Sequence, residues 1–252
     1  MKDLNTYFSE SLVGKKVLIT GGSTGIGREI TLLLTSIGAN CMICGRHAQQ
    51  VEETIAAVNE LDAKGSCWGV TADLSKSEDI AKLFTTVDEQ MGGLDILINN
   101  AALGAGSVIE GTYDEISYVV QSNLVAYLSC SHEAIKRMET TGKGHILNIG
   151  SMSADVREEG SSIYVATKSG IQGFSEALRK EINPKNIKVT LIEPGAVDTD
   201  MQEGSASEKQ EQIHNGEMLP AEDIALSVAF ALAQQERCDI VRIQIRPRLQ
   251  LI

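Results

Sequence analysis

The 252-residue chain has no apolar run long enough to cross a bilayer: its longest nearly apolar stretch, Ile224 to Ala233, is broken by Ser227 and falls short of the roughly 18 residues a span needs. The opening MKDLNTYFSESLV carries Asp3 and Glu10 where a secretory signal would need a continuous apolar core, so the expectation is a cytosolic chain. Positive charge is also scarce. Lys plus Arg number 22 against 34 Asp plus Glu, a formal charge of −12, and a phosphate backbone would be repelled. Neither nucleic acid nor a membrane is an expected partner. Four histidines (His47, His132, His145, His214) show neither H-E-x-x-H nor finger spacing, so no metal is expected. Cysteine is sparse and odd in number, with Cys41, Cys44, Cys67, Cys130 and Cys238. Cys41 and Cys44 spell C-x-x-C, but within a strand positions three apart point to opposite faces, so buried apolar thiols are expected in place of a redox pair. There is no internal repeat, low-complexity tract or Pro/Gly-rich linker, and one domain over residues 1–252 is expected.

At 42% apolar and 22% charged residues, the composition is that of a globular chain with a sizeable core. Short β-rich runs recur between helical stretches: KVLIT at 16–20, NCMIC at 40–44, SCWGVT at 66–71, LDILIN at 94–99, GHILNIG at 144–150, IKVTLI at 187–192 and DIVRIQI at 239–245. This βαβ rhythm predicts an α/β fold, a doubly wound, Rossmann-type parallel sheet of seven strands with helices on both faces. The central runs are almost wholly apolar, as in strands covered on both sides, whereas the last alternates and belongs at an edge. The polar, acidic segment Asp200 to Glu217 reads as a surface lid ahead of an Ala221 to Gln235 helix, or as a plain solvated loop.

Strand one runs into TGGSTGIG, in which Gly21, Gly25 and Gly27 open a helix. Glycines at a strand-to-helix turn let the backbone approach a pyrophosphate, which the helix N-terminus stabilises; Ser23, Thr24 and Ile26 share this loop. The spacing is G-x-x-x-G-x-G, and its place at the first βα turn points to a dinucleotide. About 20 residues further on, where NAD-binding sites usually carry an acid for the ribose 2′-hydroxyl, the chain offers Gly45, Arg46 and His47. Gly45 would leave room for a 2′-phosphate and Arg46 would pair with it, so NADP is the expected cofactor, preferred over NAD. The alternative for Arg46 is a solvated surface arginine.

Tyr164 and Lys168, four apart in IYVATKSGIQGF, share one helix face. A nearby ammonium is expected to lower the tyrosine pKa towards neutrality, suiting it to proton transfer. Ser151 follows strand HILNIG, on the rim where open α/β sheets bind ligands; it is either a substrate-oxygen ligand or a turn serine. Asn123 interrupts the apolar stripe of a helix beginning near Thr112, and is either a satisfied core amide or part of a polar network at the site.

Taken together, these landmarks resemble the short-chain dehydrogenases/reductases of about 250 residues: TGGSTGIG, ADL at 72–74, NNA at 99–101, Asn123, Ser151, Tyr164, Lys168 and PGAVDT at 194–199 match that family in order and spacing over nearly the whole chain. The resemblance implies that Tyr164 is the general acid/base, Ser151 polarises the substrate carbonyl, Lys168 holds the nicotinamide ribose and Asn123 orders a proton-relay water. It implies further that Asp73 and Leu74 flank the adenine, Asn100 and Ala101 the adenosine ribose, and that Val197 and Thr199, following Pro194 and Gly195, meet the carboxamide. The chain departs from the common pattern in NNAA for NNAG and in the ending QIRPRLQLI, which lacks the usual Gly-Gly turn and is similar to a subgroup acting on 3-hydroxy acids and related β-hydroxycarbonyl compounds. The short acidic stretch 201–217 argues against a bulky polyanionic acyl carrier as substrate.

The expectation is an NADP-dependent oxidoreductase that reversibly interconverts a ketone and a secondary alcohol on a small molecule. As the resemblance implies, it would be a homodimer or homotetramer pairing the 112–138 and 162–182 helices. The alternative is a catalytically silent NADP-binding regulatory protein, which has no need of the full Asn, Ser, Tyr, Lys set. A nucleotide-sugar epimerase of the larger related type would need more chain than the roughly 50 residues after Thr199. Arg157, beside Glu158 and Glu159, is either a partner for a substrate carboxylate or a solvated arginine.

Overall fold

Apolar side chains on alternate positions of the first strand part to opposite sides of a sheet, and two cores grow from that alternation. In the computed structural model, which describes residues 11–202 and 204–250, Val17 and Ile19 of β1 (Lys16–Thr20) enter one core and Leu18 the other. The sheet continues through β2 (Asn40–Gly45), β3 (Cys67–Thr71), β4 (Ile96–Asn99), β5 (Gly144–Ile149), β6 (Ile187–Pro194) and β7 (Arg242–Ile245). The strand order is β3-β2-β1-β4-β5-β6-β7, with every pairing parallel.

Helices α1 (Gly25–Ile37), α2 (Ala48–Glu60) and α9 (Ala221–Leu232) cover one face, where Ile30, Leu34, Val51, Ile224 and Val228 meet Val17, Ile43, Ile98 and Ile192. On the other face, α3 (Ser77–Met91), α5 (Ala126–Thr141) and α7 (Ser162–Ile182) bury Phe84, Cys130, Met138 and Leu178 against Leu18, Met42, Leu97 and Ile146. Each such large side chain contributes about 1.5–3 kcal/mol by leaving water. Cys41 lies in the first core and Cys44 in the second, so the C-x-x-C spacing joins no redox pair; burial pushes the Cys44 thiol up to about 12.

The expected edge strand is where the alternation placed it: in β7, Arg242 and Gln244 are exposed while Ile243 and Ile245 are half-buried. Two elements differ from the sequence reading. The helix from Thr112 is not continuous: α4 (Tyr113–Val120), started by a reciprocal Thr112–Glu115 capping box, passes through a π turn at Gln121–Val125 into α5. The segment expected as loose, 200–217, contains a ten-residue helix, α8 (Ala206–Asn215), because Ser205 and Glu208 form a second capping box. A short α6 (Ser153–Val156) precedes α7.

Strands to the left of β1 are added outward as β2 and β3, whereas β4 returns to its other side. The crevice outside the carboxyl ends of β1 and β4 is therefore the switch point of the sheet, where ligands of open α/β folds bind.

Candidate active site

A cleft of about 590 Å³ opens at that switch point, lined from β2 at one end to the residues after β6 at the other. Its floor is the glycine turn. Gly21 adopts φ +62°, and a Cβ there would lie 2.9 Å from Ala101 Cα, while a Cβ on Gly27 would overlap the Gly21 carbonyl oxygen. Both positions therefore require glycine. Thr24 occupies the N-cap of α1 with no side-chain bond to its first turn, no acid lies in that turn, and Gly25 and Ile26 of the turn line the cleft. Thr20, which the sequence reading passed over, locks this floor: its hydroxyl accepts from the backbone N–H of Asn100 (2.9 Å) and Ala101 (3.1 Å). The Asn100 amide donates to the carbonyls of Thr20 and Gly21, both at 3.0 Å. Asn100 and Ala101 line the cleft as expected, but the Asn100 side chain is engaged in holding the turn and not in facing a ribose. Ser23 and Ile26 complete the loop wall, and the buried Thr54 hydroxyl holds the Ser23 carbonyl at 3.0 Å.

At the β2 end stand Gly45, Arg46 and His47, facing Asp73 and Leu74. Gly45 is also required by its protein neighbours: a Cβ there would run into the Ser23 hydroxyl and come within 3.3 Å of Val51 Cγ2. Arg46 Nη1 donates to the Tyr118 hydroxyl at 3.2 Å, and that hydroxyl donates to Asp73 Oδ2 at 3.3 Å. Partial burial works against the Asp73 carboxylate, but bonds from the Ser75 hydroxyl and N–H, the Tyr118 hydroxyl and nearby Lys76 outweigh it, holding its pKa below the usual range.

The other end of the cleft holds Ser151, Tyr164 and Lys168 together, on β5's exit and the first turns of α7. The Ser151 hydroxyl lies near enough to the Tyr164 phenol to favour its ionised form. Lys168 is buried; its Nζ donates to the Ile149 carbonyl at 3.1 Å and lies between two rings, 5.6 Å from the centroid of Tyr164 and 5.8 Å from that of Tyr127. Desolvation drives the Lys168 pKa down to about 7. The expected depression of the tyrosine is reversed: burial raises Tyr164 and the Glu158 charge adds to it, with only the nearby Ser151 hydroxyl opposing.

Asn123 is wholly buried in the π turn, and its amide is matched to one residue: Oδ1 accepts from Leu103 N–H at 2.7 Å and Nδ2 donates to Leu103 O at 2.8 Å. It pins the Leu103 stretch, itself part of the cleft wall, to α7 through Thr167 (3.5 Å). Asn123 does not line the cleft. Its place in a π turn, a common mark of functional sites, could be suspected from the polar break in an apolar stripe but not located by it.

Pro194, Gly195, Val197 and Thr199 form the far wall. Their loop is held from three directions that the sequence did not reveal: Gly195 N–H donates to Ile245 O (2.7 Å), Ala196 N–H to Gln250 Oε1 (2.9 Å), and Lys209 of α8 donates to Thr199 O (2.7 Å). Arg157 stays outside the cleft, at φ +59°, with Nε on Ala154 O at 3.3 Å, which is the solvated alternative of the sequence reading. Among the described residues no three His, Cys, Asp or Glu side chains are placed to hold a metal, and no helix is long and apolar enough to cross a membrane.

A sheet with this switch point, a glycine floor and a Ser-Tyr-Lys group at its rim defines a dinucleotide-dependent oxidoreductase. The short chain dehydrogenase profile matches residues 15–210, and the chain belongs to that family: it is an oxidoreductase acting on CH–OH groups with NAD(P). It is 31% identical over 237 residues to an uncharacterized oxidoreductase of Staphylococcus aureus (94% of this chain, 98% of the relative). To the NADP-dependent 3-hydroxy acid dehydrogenase of Schizosaccharomyces pombe it is 29% identical over 245 residues, 95% of each chain. A short chain dehydrogenase from Burkholderia cenocepacia, solved in complex with NADP, superposes with a TM-score of 0.83 at 29% identity, covering 94% of this chain and 98% of that one.

Proposed function

We propose that the chain is an NADPH-preferring oxidoreductase that reversibly interconverts a ketone and a secondary alcohol on a small molecule, such as a 3-hydroxy or 3-oxo acid or a related β-hydroxycarbonyl compound. The observation that carries this reading is that Ser151, Tyr164 and the buried Lys168 line one end of the same cleft as the glycine floor and Arg46, with the serine hydroxyl near enough to act on the tyrosine. NADP fits the residues present: the open first turn of α1 suits a pyrophosphate, and Arg46 is a cation at the β2 end, where an acid would repel a 2′-phosphate. When bound, the nicotinamide supplies hydride chemistry. The likeness to the fission-yeast enzyme supports the 3-hydroxy acid class.

In this reading Tyr164 Oη gives its proton to the carbonyl oxygen during reduction and takes it back during oxidation. Ser151 Oγ holds that oxygen and the tyrosine hydroxyl in one line. Lys168 restrains the ribose and, when protonated, offsets charge that develops on the phenol oxygen. Asn123 acts behind them, fixing the Leu103 wall. Asp73 and Leu74 flank the adenine, Ala101 the adjoining ribose, and Val197 and Thr199 the carboxamide. The 200–217 segment closes over substrate as a lid, with α8 tied to the Thr199 loop by Lys209.

We place the protein in the cytosol, in keeping with five free cysteines, and read it as a homo-oligomer through α4–α5 and α7, supported by half-exposed Val125 and Leu128 on the outward side. A monomeric mass in light scattering at micromolar concentration would overturn the assembly. The activity is tested by following NADPH oxidation with small keto acids, keto esters, cyclic ketones and quinones. Turnover of at least one carbonyl class is expected; NADPH binding with no oxidation across the panel would favour the silent regulatory protein instead.

A further inference from the structure

The geometry points to Tyr118 as a positioning residue for cofactor discrimination: its hydroxyl holds the Arg46 guanidinium clear of Asp73 and in place for the 2′-phosphate of NADP. This rests on the proposed NADPH preference and supplies the device behind it. Arg46 leaves β2 and Asp73 follows β3, so the sheet brings a guanidinium and a carboxylate to the same end of the cleft. Left to themselves, such groups form a bidentate pair, which would draw the guanidinium away from a ligand. They are kept apart here by one atom. The Tyr118 hydroxyl, reaching across from α4, donates to Asp73 Oδ2 at 3.3 Å and accepts from Arg46 Nη1 at 3.2 Å.

The direction of that chain is fixed. A phenol has a single proton to donate, and Asp73 is an ionised acceptor, so the hydroxyl can only accept from Arg46. Asp73 is itself immobilised: its Oδ1 takes the Ser75 N–H (3.1 Å) and hydroxyl (2.8 Å), and its own N–H donates to Asp79 Oδ2 at 2.8 Å. The tyrosine is thus anchored to a rigid point, and it anchors a long, flexible arginine in turn. Among the described residues, the remaining guanidinium N–H groups of Arg46 carry no other hydrogen bond, leaving its fork available to a phosphate. A pre-positioned arginine loses less freedom on binding than a mobile one.

The test uses calorimetric binding of 2′,5′-ADP and 5′-ADP, which differ by the 2′-phosphate alone, to the parent, Tyr118→Phe, Arg46→Ala and the double variant, with thermal melting to confirm folding. Tyr118→Phe should weaken 2′,5′-ADP about 3- to 10-fold, the size of one hydrogen bond, and change 5′-ADP by less than about 2-fold. In the double variant Tyr118→Phe should add nothing to Arg46→Ala, because it acts through that arginine. Unchanged 2′,5′-ADP binding, equal losses for both ligands, or additive losses would overturn the role of Tyr118. A parent that binds both ligands equally would overturn the Arg46 reading itself, and this one with it.

Discussion

The two ends of the cleft are built by opposite means. At the β1–α1 end the structure works by leaving side chains out: Gly21 and Gly27 clear space for backbone to approach backbone, and α1 presents N–H groups that no side chain covers. At the β5–α7 end it works by enclosing ionisable side chains, the buried Lys168 and the half-buried Tyr164, whose ionisation low polarity shifts. In the proposed reading the first end would chiefly bind the dinucleotide and the second would chiefly move the proton. If labour is divided in this way, substitutions at the two ends should fail in different ways.

The largest effect belongs to the second end. Tyr164→Phe removes the hydroxyl and little volume, so NADPH should still bind while turnover falls by about 10²–10⁴-fold, the usual contribution of general acid–base catalysis. A Phe variant within about 10-fold of the parent under chemistry-limited conditions would show that the two ends do not divide binding from chemistry.

At the first end, Arg46→Ala should act on cofactor choice and leave proton transfer alone. A hydrogen bond to a charged group contributes about 1.5–3 kcal/mol, so the parent should favour NADPH over NADH by roughly 10- to 150-fold in kcat/KM, and the variant should lose most of that ratio. Thr24 leaves the glycine loop without a second cation, which places the expectation towards the lower figure. Parent kcat/KM for NADH equal to that for NADPH on one carbonyl substrate would remove Arg46 from cofactor choice.

Gly27→Ala sharpens the same contrast. Its methyl group overlaps the Gly21 carbonyl, and relieving such overpacking typically costs about 1–3 kcal/mol. Part of that should fall on the pyrophosphate site, raising the NADPH Kd roughly 5- to 100-fold by fluorescence titration, with kcat at saturation changed far less. An equal fall in kcat at saturating cofactor would mean that the glycine turn also shapes the chemistry.

The contrast also explains what the sequence discloses. Glycine spacing, apolar strands and the Tyr164–Lys168 interval are local, and periodicity alone places them on a turn, a sheet and one helix face. Contacts made across the chain are not local. Nothing in the sequence sets Thr20 against Asn100 and Ala101, or Gln250 against Ala196, because these partners lie about 80 and 54 residues apart. The packing demand on Gly45 escapes the sequence for the same reason, since the Ser23 hydroxyl beside it belongs to another turn. The helix in 200–217 could have been found, since Ser205 and Glu208 have capping-box spacing, but a polar stretch without an apolar stripe masks it.

The smallest expected effect is a dependence of stability on pH, and it isolates the cost of the second end's burial. Lys168 has a folded-state pKa of about 7 against an ordinary value of 10.5. Between those two values the unfolded chain binds more protons than the folded one, so stability contributed by this site rises as pH increases from about 7 to 10.5. Below pH 7 the folded state carries the buried ammonium and bears the full penalty. Lys168→Met keeps the side chain's length and removes the charge, so the melting temperature of the parent relative to this variant should climb by a few degrees between pH 7 and pH 10. His145, buried at the other end of β5 with its pKa driven down to about 3 by desolvation and then by the Lys188 charge, titrates outside this window and leaves the comparison undisturbed. A parent-minus-variant difference that stays flat over that range would mean that Lys168 remains fully charged in the folded protein, held by the Ile149 carbonyl and the two tyrosine rings more strongly than desolvation opposes it.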